Sequence, residues 1–117
     1  MPGRLTTHVL DIMHGQPAAG MHVALYRIDG NVRTHVKAAL TNNDGRLDAA
    51  LLGDDAFQLG SYELVFAVAA YFAALGVSLS APPFLADVPI RFALAEYAHY
   101  HVPLLVSPWA YSTYRGS

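Results

Sequence analysis

Six histidines in a chain with a single lysine, Lys37, are its main chemical resource, because imidazole is the side chain whose ordinary pKa lies near neutrality. Two of them, His99 and His101, stand two apart in a strand-forming run, so they share a face and can converge on one ligand. With a third such as His8 they could hold a zinc ion with an open position, although Glu96 is the nearest carboxylate in sequence that could orient them. The metal-free alternative uses one histidine as general base to a water and an arginine, Arg46 or Arg115, to anchor a substrate or stabilise an oxyanion. His14 reads as a turn residue, and His22 and His35 as occupants of wet strand faces. Ser107, Ser112 and Ser117 lie near histidines, but none sits in a Gly-x-Ser-x-Gly elbow and no aspartate is placed to complete a triad.

The composition restricts what such groups can serve. A chain of 117 residues fits one domain, residues 1–117, that can bury roughly two thirds of its unfolded surface. Charged residues make up 14% against about 25% in an average soluble domain, and 54% of the chain is hydrophobic, which favours burial against further subunits. The net charge of -2 without a basic run argues against nucleic acid or an anionic membrane surface as partner. With no cysteine, thiolate nucleophiles, thiolate metal sites and disulfides are excluded, which suits a reducing compartment. No signal-like segment opens the sequence, so the cytoplasm is expected, and the longest apolar run, residues 64–77, falls short of the roughly 20 residues a bilayer requires.

The elements that must position the chemistry are mostly strands. Residues 5–11 alternate with a period of two, which puts Leu5, Thr7 and Val9 on one face and Thr6, His8 and Leu10 on the other. A second strand follows from Met21, and Asp29-Gly30 signals a hairpin into a third over 32–40, with Val32, Thr34, Val36, Ala38 and Leu40 expected on one face and Arg33, His35 and Lys37 on the other. Thr41-Asn42-Asn43-Asp44-Gly45-Arg46 is a strong turn that fixes where Arg46 leaves it. Residues 48–60 suggest a short strand and loop. Residues 62–70 suggest a strand running into a short helix over 71–75 that stops at Gly76. Strands over 88–94, 101–106 and 109–115 complete an all-β, two-sheet sandwich with one short helix. Pro89 and Pro103 fit strand positions that need no ladder donor.

The final stretch carries Trp109, Tyr111 and Tyr114 where a disordered tail would be polar, and it ends on Tyr114-Arg115-Gly116-Ser117. Together with Leu5-Thr6-Thr7-His8-Val9-Leu10-Asp11, the turn 41–46 and His99-Tyr100-His101-Val102-Pro103-Leu104-Leu105, it resembles the 5-hydroxyisourate hydrolases, the transthyretin-related proteins, over nearly the whole chain. Within that fold the terminal tetrapeptide marks the hydrolases rather than the hormone carriers.

The resemblance implies a sandwich of seven or eight strands with one short helix, assembled as a homotetramer whose central channel holds two pairs of sites. It implies hydrolysis of the ring amide between N1 and C6 of 5-hydroxyisourate during urate degradation, with no metal or organic cofactor. The family's catalytic residues fall on His8, Arg46 and His101, and its terminal motif on Tyr114, Arg115, Gly116 and Ser117. Strand parity adds that Ser112 and Tyr114 share a face and Thr113 and Arg115 the other, so Tyr114 is expected to line the channel while Arg115 positions the chain end or pairs with a carboxylate. In this reading His101, alone or with His8, activates a water, Arg46 stabilises the oxyanion, and His99 is a flank residue. The alanine-heavy stretch 67–71 and the apolar loop 79–83 depart from the family pattern. A carrier of flat aromatic ligands and an immunoglobulin-like module are the readings from other classes.

Overall fold

A computed structural model describes residues 3–116. Strands β1 (Arg4–Asp11), β2 (Gln16–Pro17), β3 (His22–Asp29), β4 (Val32–Leu40), β5 (Leu52–Gly53) and β6 (Gly60–Phe66) lead into helix α1 (Val68–Ala74). Strands β7 (Val88–Leu94), β8 (His99–Val106) and β9 (Tyr111–Thr113) follow it. One sheet has the order β2-β1-β8-β9 with β5 also paired to β1, and the other the order β4-β3-β6-β7. This is the all-β sandwich with one short helix that the alternation predicts.

Alternation sorts the side chains. On β1, Leu5, Thr7, Val9 and Asp11 are buried while Arg4, Thr6, His8 and Leu10 are turned outward, and β8 repeats the pattern with Tyr100, Val102, Leu104 and Val106 inside. Facing them, Val23 and Leu25 of β3 and Tyr62, Leu64 and Phe66 of β6 close the core. Each such side chain contributes about 1.5–3 kcal/mol on leaving water. The inner faces therefore hold the sandwich together and leave the outer face of the first sheet free for polar groups.

Three local expectations need correction. The helix starts at Val68, three residues before the expected Tyr71, because the alanines of 67–74 are strong helix formers and β6 has already ended at Phe66. Its end is as expected: Gly76 takes a φ of 82° and its N–H and that of Val77 bond back to Ala73 and Phe72. The faces of β4 do not alternate throughout. Leu25 pairs with Lys37 but Tyr26 with His35, so Val36 is bulged and the faces exchange there. Lys37 consequently turns toward the sandwich and its Nζ donates to the Ala50 carbonyl at 3.0 Å. Finally, β9 is shorter than the expected 109–115. Its ladder lapses after Thr113, opposite Pro103, which has no N–H to donate, and resumes in the same register as the bridge between His101 and Gly116.

Candidate active site

The turn 41–46 delivers Arg46 to β1. Asn42 Oδ1 accepts the N–H groups of Asp44 (2.9 Å) and Arg46 (3.2 Å), and the Gly45 N–H donates to the Asn42 carbonyl. Gly45 has a φ of 74° and lies so close to the Val9 carbonyl that any Cβ there would collide with it. Val9 N–H in turn donates to the Gly45 carbonyl at 2.8 Å, and an antiparallel bridge joins His8 to Arg46. Thr41 fixes the base of the turn, donating to the Ala18 carbonyl and accepting the Met21 N–H.

His8 is held by the same turn. Its Nε2 lies 2.8 Å from the Asp44 carbonyl, which can only accept, so Nε2 carries a proton and donates it to that bond. His101 arrives from the other side, since β1 and β8 run parallel with Thr6 opposite His101 and Arg4 opposite His99. The period of two then sets Arg4, Thr6, His99 and His101 on one outer face. They line a cavity of about 400 Å³ together with Arg46 and Leu47. His101 is half-buried, and burial first, then the charges of Arg46, His8 and His99, hold its pKa below 6.5. At neutral pH it is therefore an uncharged imidazole, able to accept a proton beside a guanidinium.

The cavity gathers His101 and Arg46, with His8 adjoining through its bridge to Arg46. It also includes His99, read from sequence as a flank residue, and Arg4 and Thr6, which the sequence reading did not single out. The signal for Thr6 was present, because the period of two puts it on the face of His8. That β8 would lie parallel beside it was not visible.

The remaining tail residues lie elsewhere. Ser112 pairs with Leu105, four residues along β8 from His101, and is exposed on the same outer face. Tyr114 and Arg115 border a second groove of about 260 Å³ with Ile90, Phe92, Tyr100 and Val102. The Arg115 guanidinium stacks 4.1 Å above the Tyr100 ring and lies 4.0 Å from a Glu96 carboxylate oxygen; with the strand ended at Thr113, Tyr114 and Arg115 are not parted onto opposite faces as parity predicts but border the same groove. Gly116 packs against His101 itself, donating its N–H to the His101 carbonyl at 2.7 Å. Ser117 lies outside the described residues.

A two-sheet sandwich that carries a histidine–arginine cavity on the outer face of one sheet defines a transthyretin-like class with groups suited to hydrolysis. Residues 5–116 match the HIUase/Transthyretin family, and the chain belongs to it. It is 62% identical to the 5-hydroxyisourate hydrolase of Mesorhizobium japonicum, over 98% of this chain and 93% of that protein. Among solved structures it resembles the 5-hydroxyisourate hydrolase of Klebsiella pneumoniae with a TM-score of 0.82 and 35% identity, over 98% of this chain and 99% of that one. It also matches (S)-allantoin synthase with a TM-score of 0.93 and 45% identity, covering 99% of this chain but 44% of that longer chain.

Proposed function

We propose that this protein hydrolyses the N1–C6 ring amide of 5-hydroxyisourate to 2-oxo-4-hydroxy-4-carboxy-5-ureidoimidazoline, a step of urate degradation, with His101 as general base and no metal. The observation that carries this reading is a neutral, half-buried His101 in one cavity with Arg46. As a water oxygen bonds to C6, His101 takes the proton it sheds, and the carbonyl electrons move to an oxyanion held by the Arg46 guanidinium. The intermediate then collapses, the C6–N1 bond breaks, and the proton on His101 passes to N1 as the new carboxyl group forms. His8, held through Nε2 on the Asp44 carbonyl, hydrogen-bonds the substrate or the water through Nδ1.

The working form is a homotetramer. Exposed Ile12 and Met13 at the end of β1 and Trp109 and Tyr111 in the β8–β9 hairpin cluster at one end of the first sheet, an apolar surface suited to burial by another subunit. In that assembly Ser112, Tyr114, Arg115, Gly116 and Ser117 complete the substrate site. Among the described residues no helix is long and apolar enough to cross a membrane, and a cysteine-free chain suits the cytoplasm.

The test is the ultraviolet decay of 5-hydroxyisourate generated in situ from urate, followed with and without the protein. Decay much faster than the spontaneous rate is expected. A spontaneous rate together with saturable binding of flat aromatic ligands would instead make the protein a carrier. Sedimentation of the same sample should give four times the monomer mass.

A further inference from the structure

Thr6 stands between two imidazoles. Its Oγ1 lies 2.9 Å from His99 Nε2 and 2.8 Å from His101 Nδ1. A hydroxyl has one proton, so it can donate to only one of these nitrogens, and the second bond forms only if the other nitrogen brings its own proton. If both nitrogens carry protons, Thr6 accepts from each, and His101 is protonated at Nδ1 and bare at Nε2; with Thr6 as both donor and acceptor, two further arrangements satisfy both bonds. In the first, His101 Nδ1–H donates to Thr6 and Thr6 donates to His99 Nε2, which leaves His101 Nε2 bare. In the second the chain of donors runs the other way and His101 Nε2 is protonated.

Two features of the site favour the first arrangement. Arg46 lines the same cavity, and its positive charge is felt at His101, which favours the negative end of the imidazole dipole, the bare nitrogen, on the cavity side. The ring is also clamped. Gly116 bonds to the His101 backbone and approaches so closely that a Cβ at that position would fall 2.7 Å from ring atom Cδ2. With Nδ1 on Thr6 and the Cδ2 edge against Gly116, Nε2 is the nitrogen left for chemistry, and among the described residues no hydrogen bond engages it.

We propose that Thr6 and His99 are positioning residues that set the tautomer of His101, so that its Nε2 is bare and ready to take the proton of the attacking water. The catalytic consequence rests on the hydrolase reading above; the tautomer itself does not. This role explains why a threonine, which brings a hydroxyl, stands between two histidines on a face that needs no further packing.

Imidazole nitrogen NMR on the resting protein reads the tautomer without substrate. The wild type and Thr6→Ser should show His101 protonated at Nδ1, whereas Thr6→Val, which keeps the shape and removes the hydroxyl, should move it toward the Nε2–H form that free side chains prefer in water. Turnover should follow: Thr6→Val lowers kcat by about 10- to 100-fold at nearly constant KM, Thr6→Ser stays within about threefold of wild type, and His99→Ala, which removes the acceptor from Thr6, loses about three- to tenfold. His101 protonated at Nε2 in the wild type would overturn the proposal, as would an unchanged tautomer and kcat in Thr6→Val or a change in KM alone. Should Thr6→Val melt early, His99→Ala read by the same spectra decides. A wild type that shows the Nδ1–H tautomer but no hydrolysis would sink the hydrolase reading and leave the tautomer assignment standing.

Discussion

Two histidines of this chain, His14 and His101, both lie beside β1 and have opposite surroundings. His14 Nδ1 sits 2.7 Å from Asp11 Oδ2, and its own backbone N–H donates to Asp11 Oδ1 at 2.9 Å. Tyr71 of α1 donates its hydroxyl to the same carboxylate at 2.8 Å, and Asp11 is only 1% exposed. Burial pushes the Asp11 carboxyl up, but the hydrogen bonds from His14 and Tyr71 together bring it below 3.8. Tyr71 is pushed up to about 12 by burial and then by its bond to that carboxylate. His101 has no carboxylate among the groups that shift it; burial and three cationic or potentially cationic neighbours keep it neutral. An imidazole joined to a buried carboxylate serves as a structural tie, here from the end of β1 to the helix. One surrounded by cations around an open cavity is left with a nitrogen for chemistry.

Breaking the cavity side should give the largest effect. His101→Asn should lower kcat by about 10²- to 10⁴-fold while the melting temperature moves little, because the lost group acts on a proton and not on packing. The measurement pairs the ultraviolet decay assay with a thermal melt; wild-type turnover in a folded variant would end His101's assignment as base.

Arg46→Met is next, with kcat lowered by about 10²- to 10³-fold through loss of the charge opposite the oxyanion. It also sharpens the electrostatic half of the comparison. Removing one of the charges that depress His101 should raise the midpoint of its NMR titration toward 6.5, and a midpoint that does not move would show that burial alone sets it.

Much of this contrast was legible in the sequence, and its limits are physical. The period of two in 5–11 correctly put His8 and Thr6 on one face and Leu5, Thr7 and Val9 on the other, because a buried sheet face enforces alternation. The Asn-Asn-Asp-Gly turn announced itself through residues that tolerate a left-handed backbone. What could not be read were long-range registers. The parallel pairing that puts Thr6 opposite His101 spans 95 positions, so His99 looked like a flank residue. His14 looked like a plain turn residue because its partner's burial depends on Tyr71, 60 positions beyond Asp11. The exchanged faces of β4 likewise follow from one bulged residue, Val36, whose neighbours alternate as well on either side of it.

The tie itself should break in stability and not in turnover. Asp11→Ala leaves the buried Tyr71 hydroxyl without its acceptor and frees His14, at a cost of about 2–4 kcal/mol and a melting temperature lower by roughly 8–15 °C. Below that melt kcat should stay within about twofold of wild type, since Asp11 faces the core while Thr6 and His8 face outward, and substitutions without shared partners are close to independent. A tenfold loss of kcat in folded Asp11→Ala would mean that the two regions are coupled.

His14→Ala should have the smallest effect, about 1 kcal/mol, because Asp11 keeps Tyr71 and a backbone donor. Its value lies in the pH dependence. Asp11, depressed in the fold, contributes stability that is present above 3.8 and is lost as pH falls through its lower folded value. Tyr71, raised in the fold, contributes stability that is present below 10 and is lost as pH rises toward about 12. His14→Ala should weaken the acid side of this profile and leave the alkaline side nearly unchanged, as read by chemical denaturation from pH 3 to pH 12. Activity should fail on the acid side as His101, held below 6.5 by burial and its neighbours' charges, takes up its proton, and stability as Asp11, held below 3.8, is neutralised. Between those limits the protein should be folded and reversibly inactive; activity lost only together with the fold would erase the distinction between the two histidines.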